Sequence, residues 1–270
     1  MEDRHNIRAF LSKHGDVSLL AVYDGHGGSE VAAMCSLLLP GIIRGKLDEV
    51  EDAKDWRTWK EVIVKSIAEL DARCVSEIRA KDVGSTLCMC LFSYSVGKVV
   101  TANLGDSRMV LLRRHPAQNI AVQTLTVDHS SSCPHEQERI VAIGGYVFPD
   151  VFGTPRVMGC LNLTRSVGDS HLRPFISQVP DVAEYDLRRN DVLFVASDGL
   201  WDVIHPGDLV RAASVVKNFA RLPRVLTNAA MMKGSSDNIT AAMVWQDDET
   251  MEVHKKSNRY ERSVSPTTPK

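Results

Sequence analysis

The sequence of 270 residues has no apolar stretch long enough to cross a membrane, because its most apolar segment, 31–43, is short and contains Pro40 and Gly41. Its first residues, Met1-Glu2-Asp3-Arg4-His5, have neither the basic flank nor the apolar run of a signal peptide. We therefore expect a cytoplasmic or nuclear protein that makes no contact with a membrane.

Cysteine pairs and an excess of positive charge are also missing. The six cysteines, at positions 35, 74, 88, 90, 133 and 160, include no C-x-x-C pair, so neither a zinc site nor a disulfide framework is indicated, and we expect most of them to be small core residues. The 32 Lys and Arg residues nearly balance 34 Asp and Glu residues, giving a net charge of -2. This balance argues against a nucleic-acid partner.

Short apolar runs alternate with stretches of helical spacing. The predicted strands are 18–23, 87–94, 98–104, 109–113, 191–196 and 239–246, and the predicted helices are 28–44, 56–80, 136–143 and 206–232. Runs joined by short turns, such as 98–104 and 109–113, favour antiparallel hairpins, so we predict an α+β fold. No linker divides 1–246, which predicts one domain, and the polar segment 247–270 is predicted to be a disordered tail.

Acidic residues lie beside the ends of several apolar runs: Asp24, Asp106, Asp198 and Asp237. Each alone is typical of an ordinary turn. Together they could gather at one edge of a sheet, where they would repel one another unless cations were bound. Mg²⁺ and Mn²⁺ prefer oxygen ligands, and the unobstructed carbonyl of Gly25 adds another donor. The absence of Cys and of clustered His from these motifs favours Mg²⁺ or Mn²⁺ over zinc.

The order of the motifs is more specific than any one of them. In chain order they are Met1-Glu2-Asp3, Val22-Tyr23-Asp24-Gly25-His26-Gly27-Gly28, Gly84-Ser85-Thr86, Asn103-Leu104-Gly105-Asp106-Ser107-Arg108, Leu125-Thr126-Val127-Asp128-His129, Glu138-Arg139-Ile140 before Gly144-Gly145, Arg156-Val157, Leu163-Thr164-Arg165-Ser166-Val167-Gly168-Asp169, Ala196-Ser197-Asp198-Gly199-Leu200-Trp201-Asp202-Val203 and Ser236-Asp237-Asn238-Ile239-Thr240. With this order, residues 1–246 resemble the metal-dependent serine/threonine protein phosphatases of the PPM (PP2C-type) family.

The resemblance implies a four-layer αββα sandwich, in which two antiparallel sheets are flanked by helices, and a site for two Mg²⁺ or Mn²⁺ ions with a weaker third. Asp24 would bridge two ions, Gly25 would give its carbonyl to one, and Asp198 and Asp237 would complete the direct protein ligands. Asp106 resembles a ligand of the third ion. In a surrounding shell, water molecules on the metals would be held by Glu2, Asp3 and Asp202, and Thr86 matches a position near that shell.

The implied reaction is hydrolysis of phosphoserine or phosphothreonine by a metal-activated water, with phosphorylated proteins as substrates and a monomer as the default assembly. His26 resembles the family's general acid, which would protonate the poor alkoxide leaving group. Residues 146–175 are expected to form a flap beside the cleft.

One departure from the family pattern concerns the N-terminus. An Arg that grips the substrate phosphate usually precedes the Met-Glu-Asp element on a first strand, whereas this sequence begins at Met1. Either the sequence starts at an internal Met of a longer protein, which we favour, or that strand and its Arg are absent. The second case motivates an alternative function, a pseudophosphatase that acts as a binding module.

A second enzymatic alternative rests on Cys133 and Arg139, whose C-x5-R spacing is typical of cysteine-dependent phosphatases. That mechanism needs a Gly-rich loop whose amides surround the phosphate. The intervening residues include two carboxylates, Glu136 and Glu138, and no Gly, so this alternative is disfavoured.

Overall fold

A computed structural model of the chain describes residues 1–12, 15–114, 120–216, 218–246 and 261–267. Its helices are α1 (Glu30–Glu49), α2 (Trp56–Glu77), α3 (Pro134–Ala142), α4 (Asp198–Trp201), α5 (Pro206–Val215) and α6 (Leu222–Met232). Its strands are β1 (Arg4–Ser12), β2 (Gly15–Tyr23), β3 (Gly25–His26), β4 (Gly84–Ser85), β5 (Leu87–Ser93), β6 (Lys98–Leu104), β7 (Arg108–Arg114), β8 (Ile120–Thr124), β9 (Val147–Pro149), β10 (Pro155–Val157), β11 (Val167–Gly168), β12 (Asp181–Asp186), β13 (Val192–Ala196), β14 (Ile239–Trp245) and β15 (Glu261–Thr267). Within these ranges, none of the helices combines the length and the apolar character that a membrane crossing requires.

Most of the strands belong to two five-stranded sheets. The first has the order β1-β2-β5-β6-β12 and the second the order β15-β14-β13-β7-β8. All neighbouring strands in both sheets are antiparallel. A small sheet, β11-β4-β3, lies at one end, and β9 and β10 form a separate hairpin.

Alternation along the strands produces the layers. In β2, Leu20 and Val22 join a buried cluster that also contains Met109 and Val195 of the second sheet, so these residues lie between the sheets. The residues that alternate with them, Leu19, Ala21 and Tyr23, pack in another cluster with α1 and α2. A third cluster joins the outer face of the second sheet to α4, α5 and α6. Because side chains alternate across a strand, each sheet buries both faces, and the predicted αββα sandwich is confirmed.

The connection between β6 and β7 differs from the predicted hairpin. β6 pairs with β5 and β12 in the first sheet, whereas β7 pairs with β13 and β8 in the second. Gly105 has φ +101°, and a Cβ there would lie 2.6 Å from the Thr86 side chain, so the turn requires glycine. The chain therefore crosses between sheets at this turn, and the crossing places Asp106 where the two sheets meet.

Two further regions differ from the sequence-based expectation. The predicted helix 206–232 is divided into α5 and α6, and Pro223 lies in the first turn of α6, where its missing N–H costs no helical hydrogen bond. Within the predicted disordered tail, Glu261–Thr267 forms β15 and pairs with β14 along its whole length. The rest of that tail, 247–260 and 268–270, lies outside the described residues.

Candidate active site and metal centre

A cavity of about 250 Å³ opens at the end of the sandwich where the small sheet lies. Most of the site residues predicted from the sequence line it together. Its lining is Glu2, Asp24, Gly25, His26, Gly27, Thr86, Asp106, Leu161, Asn162, Leu163, Asp198 and Asp237. The structure therefore brings the direct ligand candidates, His26 and Thr86 to one place. Asp3 and Asp202 are not part of this lining: Asp3 accepts from Ser197 Oγ, next to Asp198, and Asp202 directly follows α4, which begins at Asp198.

The carboxylates of the site lie at the ends of strands from both sheets. Asp24 follows β2 and Asp106 follows β6 in the first sheet, whereas Asp198 follows β13 and Asp237 precedes β14 in the second. The end of β2 is fixed against Thr86, whose backbone N–H donates to the Asp24 carbonyl at 2.8 Å and whose Oγ1 accepts from the Asp24 N–H at 3.1 Å.

Gly25 is needed at its position because the chain approaches closely. A Cβ there would lie 3.0 Å from the Glu2 carbonyl oxygen and 3.1 Å from the Ala32 Cβ. Gly25 is paired with Ser85 in the small sheet. The lack of a side chain therefore keeps the backbone of the Asp24-Gly25 turn against the N-terminal residues.

Removal from water and mutual repulsion raise the pKa values of these carboxyl groups. Burial, followed by the charge of Asp198, raises the pKa of Asp24 well above its ordinary value, and the same two causes act on the pKa of Asp106. Burial also raises the pKa of Asp198 to about 6. Carboxylates that repel one another in this way would be stabilised by a bound cation.

Two buried oxygens in this region, Asp3 Oδ1 and Asp198 Oδ1, have no hydrogen-bond partner. Unpaired carboxylate oxygens beside repelling carboxylates suit a site for a hard divalent cation. Across the described residues, no group of three or more His, Cys, Asp or Glu side chains is arranged to hold an ion unaided. Carbonyl and water ligands would therefore have to complete the coordination, as Mg²⁺ and Mn²⁺ commonly allow. The donor set fits such ions, since Asp24, Gly25, Asp198 and Asp237 all line the cavity.

The candidate proton donor, His26, lies in β3 with its side chain 23% exposed. Its Nε2 lies 2.8 Å from Oδ2 of the buried Asp169. The ring is thus held by a carboxylate from outside the metal-ligand set while it faces the same cavity as Asp24. A histidine placed in this way can transfer a proton to an oxygen bound in the cavity.

Comparison with known proteins identifies the fold and its family. The Protein phosphatase 2C family model matches residues 1–239. A probable protein phosphatase 2C 24 from Arabidopsis thaliana is 32% identical over 253 residues, which is 83% of this chain and 67% of that protein. A probable protein phosphatase 2C 68 from Oryza sativa is 33% identical over 281 residues, which is 90% of this chain and 74% of that protein.

The chain belongs to the protein phosphatase 2C family. It is therefore a protein serine/threonine phosphatase, and the family resemblance found in the sequence is confirmed. Solved structures support the same fold. A C. elegans sex determining protein matches with a TM-score of 0.76 at 30% identity, over 90% of this chain and 60% of that one. The serine-threonine phosphatase 2C of Toxoplasma gondii matches with a TM-score of 0.72 at 22% identity, over 90% of this chain and 89% of that one.

The cysteine-based alternative has no support in the geometry of this phosphatase. Cys133 precedes α3, and neither Cys133 nor Arg139 lines the cavity. The Arg139 guanidinium is bound to Glu136 at 2.9 Å and to the carbonyl oxygens of Thr164 and Phe175 at 3.0 Å each. The Arg139 guanidinium is therefore engaged by Glu136 and by the flap, and it is not available to bind a phosphate beside a Cys133 thiolate.

Sequence reasoning gave no role to three polar residues of this phosphatase site. Asp169 contacts His26, Ser197 Oγ donates to Asp3 Oδ2 at 3.0 Å, and Asn238 Oδ1 accepts from the Glu2 N–H at 2.8 Å. All three lie inside the motifs that carried the resemblance, and Ser197 and Asn238 are directly beside Asp198 and Asp237. Position in those motifs was the available signal, whereas the contacts depend on the fold.

Proposed function

We propose that this phosphatase hydrolyses phosphoserine and phosphothreonine in proteins with two Mg²⁺ or Mn²⁺ ions held by Asp24, the Gly25 carbonyl, Asp198 and Asp237, and that Asp106 contributes to a weaker third site. The observation that carries the proposal is the convergence of these acidic residues, from four strand ends in two sheets, on one cavity. When bound, such ions would polarise the phosphoryl oxygens and make water a stronger nucleophile.

The remaining residues would act around this centre. Glu2 lines the cavity, Asp3 contacts Ser197 beside Asp198, and Asp202 follows α4, so these three carboxylates would accept hydrogen bonds from water on the ions. Thr86 fixes the turn that carries Asp24. His26 would give a proton to the serine or threonine oxygen as the bond to phosphorus breaks, which contributes about 10² to 10⁴-fold in such reactions.

The test is phosphate release from a phosphothreonine peptide, with Mn²⁺ added and with a chelator. We expect turnover with Mn²⁺, loss of turnover in the chelator, and at least about 100-fold lower kcat in Asp198→Asn. The matched control is Asp48→Asn on α1, an exposed aspartate that does not line the cavity, which should keep full activity.

No turnover above the Asp198→Asn background would contradict the proposal and favour the pseudophosphatase alternative. That alternative has one observation in its favour, since the described residues that line the cavity include no Lys or Arg to hold a phosphate. Retained peptide binding without turnover would then be its signature.

A further inference from the structure

His26 and Gly168 lie on opposite sides of the same residue in the small sheet. The antiparallel register pairs His26 with Gly84 on one edge of β4 and Gly168 with Gly84 on the other. Asp169 follows Gly168 directly. Three short strands therefore bring the imidazole of His26 and the carboxylate of Asp169 to the two sides of Gly84.

The absence of a side chain at Gly84 lets these two groups meet. A Cβ at Gly84 would collide with both Asp169 Oδ2 and His26 Nε2. With hydrogen in its place, the ring nitrogen and the carboxylate oxygen lie 2.8 Å apart, a normal charge-assisted hydrogen bond. The contact between His26 and Asp169 therefore requires glycine at position 84.

Asp169 is itself held rigidly. Its side chain is 3% exposed, and Oδ2, the oxygen that faces His26, also accepts from Ser166 Oγ. Its backbone has φ +47°, an unusual conformation for a residue other than glycine, and its N–H donates to the Val83 carbonyl at 3.1 Å. Backbone strain of this kind persists only where the surrounding structure fixes it.

A second buried carboxylate supports the strand that precedes Asp169. Asp71 of α2 accepts from the Gly168 N–H at 2.9 Å and from Arg173 Nη2 at 2.9 Å. The same Arg173 nitrogen donates to the Gly168 carbonyl at 2.8 Å. The position of Asp169 is thus fixed from α2, from β4 and from the segment after β11.

Only one nitrogen of His26 remains to act on a substrate. Because Asp169 faces Nε2, a proton on Nε2 is shared with the carboxylate, and the other nitrogen, Nδ1, has to carry any proton that is transferred. We propose that Asp169 is a positioning residue that fixes the ring of His26 with Nε2–H toward its carboxylate and Nδ1–H as the acid. This rests on the proposed function, in which His26 is the proton donor.

The proton transfer from His26 accompanies the breaking of the phosphorus–oxygen bond. Water forms the new bond to phosphorus while the bond from phosphorus to the serine or threonine oxygen breaks, and its electron pair stays on that oxygen. The Nδ1 proton of the imidazolium moves to the same oxygen and releases a neutral alcohol. The imidazole is left neutral with its proton on Nε2, hydrogen-bonded to Asp169, and regains the Nδ1 proton from solvent.

The choice of leaving group separates this role from a structural one. A threonine alkoxide needs a proton to leave, whereas the phenolate of p-nitrophenyl phosphate does not. We expect Asp169→Asn to lower kcat for a phosphothreonine peptide about 100-fold and kcat for p-nitrophenyl phosphate less than about 3-fold. His26→Ala should show the same selectivity, and the double variant should lose little more than either single variant.

Asp181→Asn is the matched control, because Asp181 also pairs with a histidine, His129, at 3.0 Å, but does not line the cavity. It should leave the ratio of the two substrates unchanged. Equal losses on both substrates in Asp169→Asn, or losses that add in the double variant, would overturn the proposal. If wild-type protein hydrolyses the peptide and Asp169→Asn keeps the substrate ratio, the inference fails while the proposed function stands.

A spectroscopic measurement on the metal-free protein tests the positioning without activity. In ¹⁵N NMR at a pH where the ring is neutral, His26 should be the Nε2–H tautomer in the wild type and a mixture of tautomers in Asp169→Asn. A wild-type ring with its proton on Nδ1 would overturn the proposal, whether or not any substrate is turned over.

Discussion

Ser197 donates a hydrogen bond of 3.0 Å from Oγ to Oδ2 of Asp3, across 194 positions of sequence. Asp3 directly precedes β1 of the first sheet, whereas Ser197 follows β13 of the second. The neighbouring backbone N–H of Glu2 donates to Asn238 Oδ1 at 2.8 Å. The N-terminal residues are thereby joined to the second sheet, and the two sheets are tied together beside the carboxylate cluster.

Replacement of Ser197 by Ala should destabilise the protein. Ser197 is fully buried, and its Oγ also accepts from the Thr240 N–H at 3.0 Å, so the variant leaves a buried donor and a buried carboxylate oxygen without partners. The expected loss is about 1–3 kcal/mol of unfolding free energy in urea denaturation. Ser214→Ala on the exposed face of α5 is the control and should change stability by less than about 0.5 kcal/mol. A Ser197→Ala variant as stable as this control would contradict the interpretation.

Divalent cations should stabilise the fold in proportion to their occupancy of the carboxylate cluster. At about 100 times its Kd, Mn²⁺ is expected to add about 2.7 kcal/mol to the unfolding free energy, because it binds the folded state alone. Asp237→Asn should remove most of this gain at the same concentration, as measured by thermal denaturation with and without Mn²⁺. Asp48→Asn should keep it. An equal Mn²⁺ response in both variants would exclude Asp237 as a ligand.

The pH dependence of stability should depend on Glu136. Glu136 is a buried residue of α3, and Arg165 Nη2 donates to its Oε1 at 2.7 Å and Arg139 Nη2 to its Oε2 at 2.9 Å. Burial alone would raise the pKa of Glu136, but the hydrogen bonds from Arg165 and Arg139 outweigh it and lower the pKa from 4.5 to about 2. A folded-state pKa below the unfolded one adds stability above about pH 4.5, and this stability is lost as the pH falls toward 2.

Glu136→Gln isolates this contribution. This variant should lose unfolding free energy, and the pH-dependent part of the loss is expected to be about 3 kcal/mol at pH 7 and less than half of that at pH 3. Urea denaturation at both pH values measures the difference. Glu138→Gln, two residues along the same helix and exposed, should show no such difference. A Glu136→Gln effect that is the same at both pH values would mean that packing, rather than charge, accounts for the loss.

The sequence predicted most elements whose signals are local. The apolar runs of β5 and β13 are buried at every position and were readily recognised. β1 was missed because its sequence, RHNIRAFLS, mixes charged and apolar residues, as suits the edge of a sheet. The crossing from β6 to β7 was mistaken for a hairpin because pairing with distant β12 and β13, together with the positive φ of Gly105, decides it.

The candidate site likewise contains residues that the sequence revealed and residues that only the fold revealed. Asp24 and Asp198 were recognisable because each ends an apolar run, a pattern visible in the sequence itself. The role of Asp169 depends on the register of three two-residue strands and on the missing side chain of Gly84. Neither leaves a periodic pattern, so only the folded structure relates Asp169 to His26.

The hairpin of β9 and β10 should affect the affinity for protein substrates. It forms part of the predicted flap, and its apolar side chains are turned to solvent, with Phe148 62%, Val151 93% and Phe152 89% exposed. Val157 of β10 forms a β-bridge with Leu161, which lines the cavity, so a peptide that places its phosphate there lies beside the hairpin. Exposed apolar patches of this kind commonly contact partners.

Phe152→Ser should therefore raise KM for phosphopeptides with apolar residues near the phosphate by about 5- to 30-fold, since burial of one large apolar side chain contributes about 1–2 kcal/mol. Values of kcat for the peptide and both constants for p-nitrophenyl phosphate should stay within about 2-fold, because the hairpin does not carry the ligand or proton-donor candidates. Met232→Ser is the control for a general effect of surface polarity, because Met232 is also 89% exposed but lies on α6, outside the hairpin. An unchanged KM for apolar phosphopeptides, or an equal rise in Met232→Ser, would show that these peptides do not contact the hairpin.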